Sequence, residues 1–164
     1  MFSDELLDLA DHVLKAARAH GVRIATAESC TGGLVAGVLT EISGSSDVIE
    51  CGYVTYANAA KHRMLGVPDE MLAEHGAVSR QVAEAMATGA LEAADLSVAI
   101  TGIAGPGGGS DEKPVGLVYF ATAAKDGVVM AQKARFGDIG RAEVRRHAVK
   151  TALTLLLELS LIHI

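Results

Sequence analysis

The stretch "VRIATAESCTGG" (residues 22–33) predicts a short β-strand that passes directly into a helix. Its first part, Val22–Thr26, is apolar and rich in β-branched residues, as is typical of a buried strand. The apolar residues that follow the two glycines recur at helical spacing, so we expect a helix over about Thr31–Ile42. A strand followed at once by a helix is the building unit of an α/β fold.

The same alternation extends along the chain in both directions. A first helix is expected between Ser3, a good N-cap, and Gly21, which can end it. A second strand is predicted over Val48–Tyr56 and a third over Ser97–Thr101, with helical segments between them. Two further apolar runs flank Lys125-Asp126-Gly127 and predict a hairpin. A last helix is expected from about Asp138 to the C-terminus.

These elements predict an α/β protein with a three-layer α/β/α arrangement. The sheet is expected to be mixed and mostly parallel, and a C-terminal hairpin plus helix completes it. The chain has 164 residues and no evident linker or repeat, so we expect a single domain over residues 1–164.

Composition excludes several classes of function. A net charge of −6 disfavours non-specific nucleic-acid binding. The most apolar segment, "TALTLLLEL" (151–159), is too short to span a bilayer, and the N-terminus lacks the pattern of a signal peptide. Cys30 and Cys51 have no metal-ligand spacing and are too few for a disulfide framework. We therefore expect a cytoplasmic protein without membrane attachment, metal or cofactor.

The carboxyl ends of the parallel strands are where an α/β sheet places its ligands. Ser29 follows the first strand, and it is either a nucleophile with an oxyanion hole built from neighbouring N–H groups or, like Thr31, only a helix cap. Cys30 is the rival nucleophile, although a free cysteine is often a buried packing residue. The glycines Gly32 and Gly33 allow a substrate to approach the backbone closely.

A nucleophilic serine needs a base. Lys61 follows the second strand and can serve if it is partly desolvated, whereas an ordinary helix-surface lysine is a solvated charge. Tyr56 in the same segment can donate a hydrogen bond or relay a proton. Three histidines, His62, His75 and His147, lie in no evident triad context.

Two further segments favour anion binding. The loop "TGIAGPGGG" (101–109) is neither a Walker A motif nor G-x-G-x-x-G, but glycines after a buried strand can form an anion nest, with Thr101 and Gly102 best placed. Arg141 and Arg145 share one face at the start of the last helix, where positive charge opposes the helix dipole. A bound phosphate would offset that cost.

Taken together, "TAESCTGG", "GYVTYANAAKHRMLGV", "HGAVS", "AITGIAGPGGGSDEKPVG" and "RAEVRR" resemble the CinA C-terminal domain family, over essentially the whole chain. Single-domain members of that family include bacterial nicotinamide-nucleotide amidases. The resemblance implies an anticodon-binding-like α/β/α fold and a cytoplasmic, commonly homodimeric enzyme of pyridine-nucleotide salvage. Its reaction would be hydrolysis of the carboxamide of nicotinamide mononucleotide to nicotinate mononucleotide and ammonia.

The resemblance also implies roles for the residues above. Ser29 becomes the nucleophile, Lys61 its base and Tyr56 an assisting group. The N–H groups of Thr31, Gly32 and Gly33 would hold the oxyanion. The substrate phosphate would lie between the loop Thr101–Gly105, including Gly102, and the face of Arg141 and Arg145. The alternative is a nucleotide-binding or competence-related interaction module with little or no turnover.

Overall fold

The computed structural model describes residues 1–162 of the chain and gives six α-helices and five strands there. The helices are α1 (Asp4–His20), α2 (Leu34–Glu41), α3 (Asn58–Leu65), α4 (Asp69–His75), α5 (Arg80–Ala90) and α6 (Arg141–Ile162). The strands are β1 (Ile24–Glu28), β2 (Ile49–Val54), β3 (Leu96–Gly102), β4 (Leu117–Ala124) and β5 (Val129–Arg135). The last two residues of the predicted C-terminal helix lie outside the described residues.

The five strands form one mixed sheet in the order β2-β1-β3-β4-β5. Strand β1 is parallel to both β2 and β3, β4 is antiparallel to β3, and β5 is antiparallel to β4. Of the strands within residues 1–162, only β4 therefore runs against the others, and the hairpin β4–β5 supplies the predicted antiparallel part. The carboxyl ends of β1, β2 and β3 meet at one edge of the sheet.

Helices cover both faces of the sheet, which confirms the predicted α/β/α layering. On one face, apolar side chains of α1, α2 and α6 pack with strand residues such as Ile24 and Phe120. On the other face, α3, α4 and α5 pack on strand alanines that include Ala25, Ala27 and Ala99. Because these alanines are small, α5 can lie close to the sheet. Within residues 1–162, none of the helices combines the length and apolarity needed to cross a bilayer.

Three predicted boundaries were wrong, two at the turn that follows β1 and one at the start of the last helix. The strand continues to Glu28, which pairs with Val54 and with Ile100, whereas the prediction ended it at Thr26. Gly32 and Gly33 have φ values of +58° and +98°, so the right-handed helix begins only at Leu34. In the same way the last helix starts at Arg141 and not near Asp138, because the preceding Gly140 has a φ of +98°.

Candidate active site

A cleft of about 260 Å³ opens at the edge where β1, β2 and β3 end. Five segments line it: the turn after β1, the segment from Tyr56 to Lys61, Ala77 and Val78 between α4 and α5, the end of β3 with the glycine loop that follows, and the start of α6. The loops that the sequence singled out separately therefore share one cavity. Seven predicted site residues line this cleft: Ser29, Tyr56, Lys61, Thr101, Gly102, Gly105 and Arg141.

Ser29 and Lys61 form a direct contact inside the cleft. The Lys61 Nζ lies 2.9 Å from the Ser29 Oγ, and it also donates to the Thr55 carbonyl at 2.6 Å and to the Tyr56 carbonyl at 3.3 Å. Lys61 is only 1% exposed. The interpretation of this lysine as a solvated surface charge is therefore wrong. The pair has the distance that proton transfer between a nucleophile and its base requires.

Burial changes the protonation of Lys61. Removal of the ammonium group from water lowers the pKa of Lys61 to about 8, while the nearby Cys30 acts in the opposite direction to a smaller extent. At neutral pH roughly a tenth of this amine is then uncharged and able to accept a proton. This is the protonation behaviour expected of a general base.

The turn that carries Ser29 is held by Glu28, a residue that the sequence analysis missed. The Glu28 side chain is fully buried, and its two carboxylate oxygens accept from the N–H groups of Val35 and Ala36 at 2.9 and 3.1 Å. It thereby caps α2, so neither Ser29 nor Thr31 has that function. A glutamate at the end of an apolar strand, just before a glycine pair and a helix, was the available signal.

Cys30 lines the cleft next to Ser29, but its thiol is poorly suited to act as a nucleophile. Burial raises the pKa of its thiol to about 12, so the thiolate is scarcely populated at neutral pH. The side chain packs in the larger core cluster and is 6% exposed. This supports the interpretation of Cys30 as a packing residue.

The predicted oxyanion residues are only partly available. The Gly32 N–H donates to the Ser29 carbonyl at 3.0 Å, so the predicted oxyanion role of Gly32 needs correction. Gly33 lies against β2, where an added Cβ would be 3.3 Å from Val54. The roles of Thr31 and Gly33 stay predictions, and neither residue lines the cleft.

The hydroxyl and the backbone carbonyl of Tyr56 have different hydrogen-bond partners. Its side chain is 60% exposed, and its hydroxyl accepts a hydrogen bond from Arg141 at 2.8 Å. Its carbonyl oxygen, and not its hydroxyl, accepts from Lys61. The proposed assistance of Tyr56 in proton transfer therefore stays a prediction.

The end of β3 and the loop that follows it line the cleft together with Ser29. Thr101 is 1% exposed, and its hydroxyl donates to the Ala77 carbonyl at 2.8 Å. A Cβ at Gly102 would lie 2.7 Å from Val118, and one at Gly105 would lie 2.5 Å from Val115, so no larger residue fits either position without displacement. The tight packing fixes this loop beside the cleft.

The two predicted arginines separate in the structure. Arg141 lines the cleft and donates to the Gly105 carbonyl at 2.8 Å. Arg145 is absent from the cleft lining, and its Nε donates to the Cys30 carbonyl at 3.1 Å. Sharing one helix face did not bring both guanidinium groups to the same site.

The histidines offer no competing base. His62 has its Nδ1 2.8 Å from the Val67 carbonyl, and the ring of His147 stacks on Phe136. None of His62, His75 and His147 lines the cleft. Among residues 1–162, no group of three or more His, Cys, Asp or Glu side chains is arranged to hold a metal ion.

Comparison with known proteins identifies the family. The family model described as the CinA C-terminal domain matches residues 6–160. The chain belongs to the CinA C-terminal domain family. Among curated relatives, nicotinamide-nucleotide amidohydrolase PncC of Escherichia coli (strain K12) is 53% identical over 156 residues, which cover 93% of both chains. The protein of the same name from Enterobacter agglomerans is 49% identical over 93% of this chain and 94% of its own.

Solved structures of the family agree with the fold. The competence/damage inducible protein CihA from Agrobacterium tumefaciens has a TM-score of 0.95 and 53% identity, covering 97% of this chain and 98% of its own. A CinA superfamily protein from Klebsiella pneumoniae 700603 has a TM-score of 0.89 and 38% identity, covering 94% and 97%. The mixed α/β/α fold is thus the fold of the family.

Proposed function

We propose that this protein hydrolyses the carboxamide of nicotinamide mononucleotide, yielding nicotinate mononucleotide and ammonia. The observation that carries the proposal is the buried Lys61 Nζ at 2.9 Å from the Ser29 Oγ, inside a cleft. Relatives named nicotinamide-nucleotide amidohydrolase, about half identical over nearly the whole chain, supply the substrate class. The name alone would not indicate which groups react, and the geometry alone would not indicate which amide.

In the proposed first half-reaction, neutral Lys61 accepts the hydroxyl proton of Ser29 as its Oγ attacks the amide carbon. The carbonyl oxygen becomes an oxyanion, for which the N–H groups of Thr31 and Gly33 are our candidates. The Lys61 ammonium then gives its proton to the amide nitrogen, the carbon–nitrogen bond breaks, and ammonia leaves. The product is an ester between Ser29 and the nicotinoyl group.

In the second half-reaction a water molecule replaces ammonia. Lys61 takes a proton from that water as its oxygen attacks the ester carbon, and the proton then returns to the Ser29 Oγ as it leaves. Nicotinate mononucleotide is released, and no metal or cofactor takes part in the proposal. Arg141 and the loop 101–105 are proposed to hold the ribose phosphate, since Arg141 is the one of the two predicted arginines that lines the cleft.

The family resemblance also bears on the oligomeric state and the cellular location of the protein. We propose a homodimer in the cytoplasm, as the family resemblance implies. Sedimentation equilibrium of the purified protein tests the oligomer, since a monomer has a mass of 16.9 kDa.

The direct test is incubation of the purified protein with nicotinamide mononucleotide. Ammonia is measured with a coupled glutamate dehydrogenase assay, and nicotinate mononucleotide by chromatography. We expect equal amounts of both products, and none from the Ser29→Ala variant. The alternative is a nucleotide-binding or competence-related interaction module. In that case calorimetry would detect binding of the mononucleotide, but no ammonia would be released.

A further inference from the structure

The turn between β1 and α2 is closed internally by two backbone hydrogen bonds, from the Gly32 N–H to the Ser29 carbonyl and from the Leu34 N–H to the Thr31 carbonyl, both at 3.0 Å. It comprises residues 29–33 and contains two glycines in left-handed conformations, Gly32 and Gly33. Glycine has more conformational freedom than any other residue, so such a segment still needs outside contacts to keep one shape. The proposed reaction requires one shape, because a displacement of about 1 Å at a reacting atom can cost about a hundredfold in rate.

Glu28 restrains this turn from the side of the sheet. Its backbone is paired on both sides, with β2 and with β3, and its carboxylate reaches forward to the N–H groups of Val35 and Ala36. The contact joins the residue before Ser29 to the first turn of α2 and encloses the whole turn. It is a charge-assisted hydrogen-bonded contact at a helix N-terminus, placed where no solvent competes for the oxygens.

Arg145 restrains the same turn from α6. Its Nε donates to the Cys30 carbonyl at 3.1 Å, and its Nη2 lies 3.5 Å from the Thr31 carbonyl. The fork of the guanidinium therefore spans two consecutive carbonyl groups of the turn. An added Cβ at Gly32 would lie 3.1 Å from this Nη2, so the glycine gives the arginine room.

We propose that Glu28 and Arg145 are positioning residues that together hold the Ser29 turn at the distance from Lys61 that catalysis needs. Neither residue lines the cleft. Glu28 acts through α2 and Arg145 through the carbonyls of Cys30 and Thr31. This assigns Arg145 a place behind the nucleophile, in contrast to the phosphate-binding role that its spacing from Arg141 suggested. The effect on turnover rests on the proposed function, whereas the restraint on the turn does not.

Two variants test the restraint, each with a matched control. Glu28→Gln replaces one acceptor oxygen by an N–H group facing a backbone N–H, and Arg145→Ala removes the fork. Arg146→Ala changes the next residue, which is exposed and pairs with Glu143. Glu50→Gln changes a glutamate on β2 that is exposed and pairs with Arg23. A third variant, Arg145→Lys, retains one donor and should restore part of what Arg145→Ala loses.

Hydrogen exchange, measured by mass spectrometry on the protein without substrate, reports directly how often the backbone of the turn opens. We expect exchange in peptides covering residues 29–36 to be at least about tenfold faster in Glu28→Gln and Arg145→Ala, and unchanged in both controls. This measurement does not depend on which amide the protein hydrolyses. Wild-type exchange in both variants would overturn the inference.

The effect on catalysis is measured from kcat and KM with nicotinamide mononucleotide and with nicotinamide riboside. In Arg145→Ala we expect kcat to fall about tenfold to a hundredfold, KM to change little, and the preference for the phosphorylated substrate to stay as in the wild type. If Arg145→Ala instead reduces that preference, Arg145 binds phosphate and the inference is wrong. If the wild type hydrolyses neither compound, the proposed function fails, while hydrogen exchange still decides the positioning role.

Discussion

At the scale of single residues, two nucleophile candidates stand side by side with almost equal exposure, 9% for Ser29 and 6% for Cys30. Accessibility does not separate them, but chemistry does. The Ser29 oxygen contacts an amine of lowered pKa, whereas burial raises the pKa of the Cys30 thiol to about 12. A neutral thiol without a base is a poor nucleophile.

Replacement of each candidate tests this distinction. Ser29→Ala should lower kcat by at least about a thousandfold, since loss of a nucleophile removes the covalent route. Cys30→Ala should keep most of the activity and lose only packing in the core. Ammonia release by both variants, after circular dichroism has shown that they are folded, is the measurement. An active Ser29→Ala beside an inactive Cys30→Ala would reverse the assignment.

Lys61 gives the reaction a characteristic pH dependence. Because the base must be neutral, kcat/KM for nicotinamide mononucleotide should increase with pH and level off above about 8, the lowered pKa of Lys61. Lys61→Met keeps the length of the side chain but removes the base, so activity should fall about a hundred- to ten-thousandfold and the rising limb should disappear. If the variant keeps the wild-type rate and pH profile, Lys61 is not the base and another group must accept the proton.

At the scale of elements, the cleft depends on α6 meeting the glycine loop. Arg141 joins three parts of the site, since it belongs to α6 and donates both to the Gly105 carbonyl and to the Tyr56 hydroxyl. A guanidinium with neutral acceptors at both ends can still attract a dianionic phosphate to the mouth of the cleft. No acidic side chain pairs with Arg141 among the ion pairs of residues 1–162.

Arg141→Ala should therefore weaken recognition of the phosphate. A charge-assisted hydrogen bond contributes about 1.5–3 kcal/mol, so kcat/KM for nicotinamide mononucleotide should fall about ten- to a hundredfold. The value for nicotinamide riboside, which has no phosphate, should change little. The ratio of the two specificity constants is the measurement, with Arg146→Ala as the control. An unchanged ratio would leave the glycine loop as the phosphate site.

The helix that carries Lys61, α3, packs closely against α5 at Gly89. A Cβ at Gly89 of α5 would lie 2.0 Å from the carbonyl oxygen of Leu65, the last residue of α3. Backbone cannot yield as a flexible side chain can. The position of α3, and with it the position of Lys61, therefore depends on a residue without a side chain in α5.

Gly89→Ala should destabilise the protein by about 1–3 kcal/mol, although alanine is the better helix former. It should also lower kcat, because displacement of α3 moves Lys61 away from Ser29. Urea unfolding and ammonia release measure the two effects. Gly37→Ala in α2 is the matched control, since its added Cβ would meet only the ring end of Phe2 at 3.4 Å. Equal stability of both variants would contradict the argument.

At the scale of the whole molecule, local patterns predicted most of the fold. Strand and helix periods, and caps such as Ser3 and Gly21, depend on residues close in sequence, and the structure confirms them. The loops at the ends of β1, β2 and β3 were also expected to meet, because parallel strands share one edge. Ser29, Lys61 and Thr101 accordingly line the same cleft.

The rest depended on contacts between distant parts of the chain. Arg145 meets a carbonyl 115 positions away, and helical spacing cannot indicate which way a long side chain turns. Lys61 is buried and contacts Ser29, 32 positions away in the sequence, so its sequence neighbours alone suggested a surface residue. The role of Glu28 was not predicted because α2 was expected to begin at Thr31. The helix begins at Leu34, so the N–H groups that need an acceptor are those of Val35 and Ala36.

Two buried groups should also make global stability depend on pH, with opposite signs. The pKa of Lys61 is lowered from 10.5 to about 8, so between these values the unfolded chain binds a proton that the folded chain lacks. Stability then increases with pH. The pKa of Cys30 is raised from 9.0 to about 12, so above pH 9 the unfolded chain loses a proton that the folded chain keeps, and stability decreases.

The difference in unfolding free energy between the wild type and Lys61→Met reports mainly on the lysine, because Cys30 is present in both proteins and its thiol, with a pKa of about 12, stays protonated in the folded state below pH 10.5. Below pH 8 the difference should be constant. From pH 8 to 10.5 it should change in favour of the wild type by up to roughly 3 kcal/mol, as the cost of burying an ammonium group disappears. Urea unfolding followed by circular dichroism at pH 7, 8, 9 and 10 measures it. Parallel curves would mean that Lys61 holds its proton equally well in both states, and its role as a neutral base would then lack a physical basis.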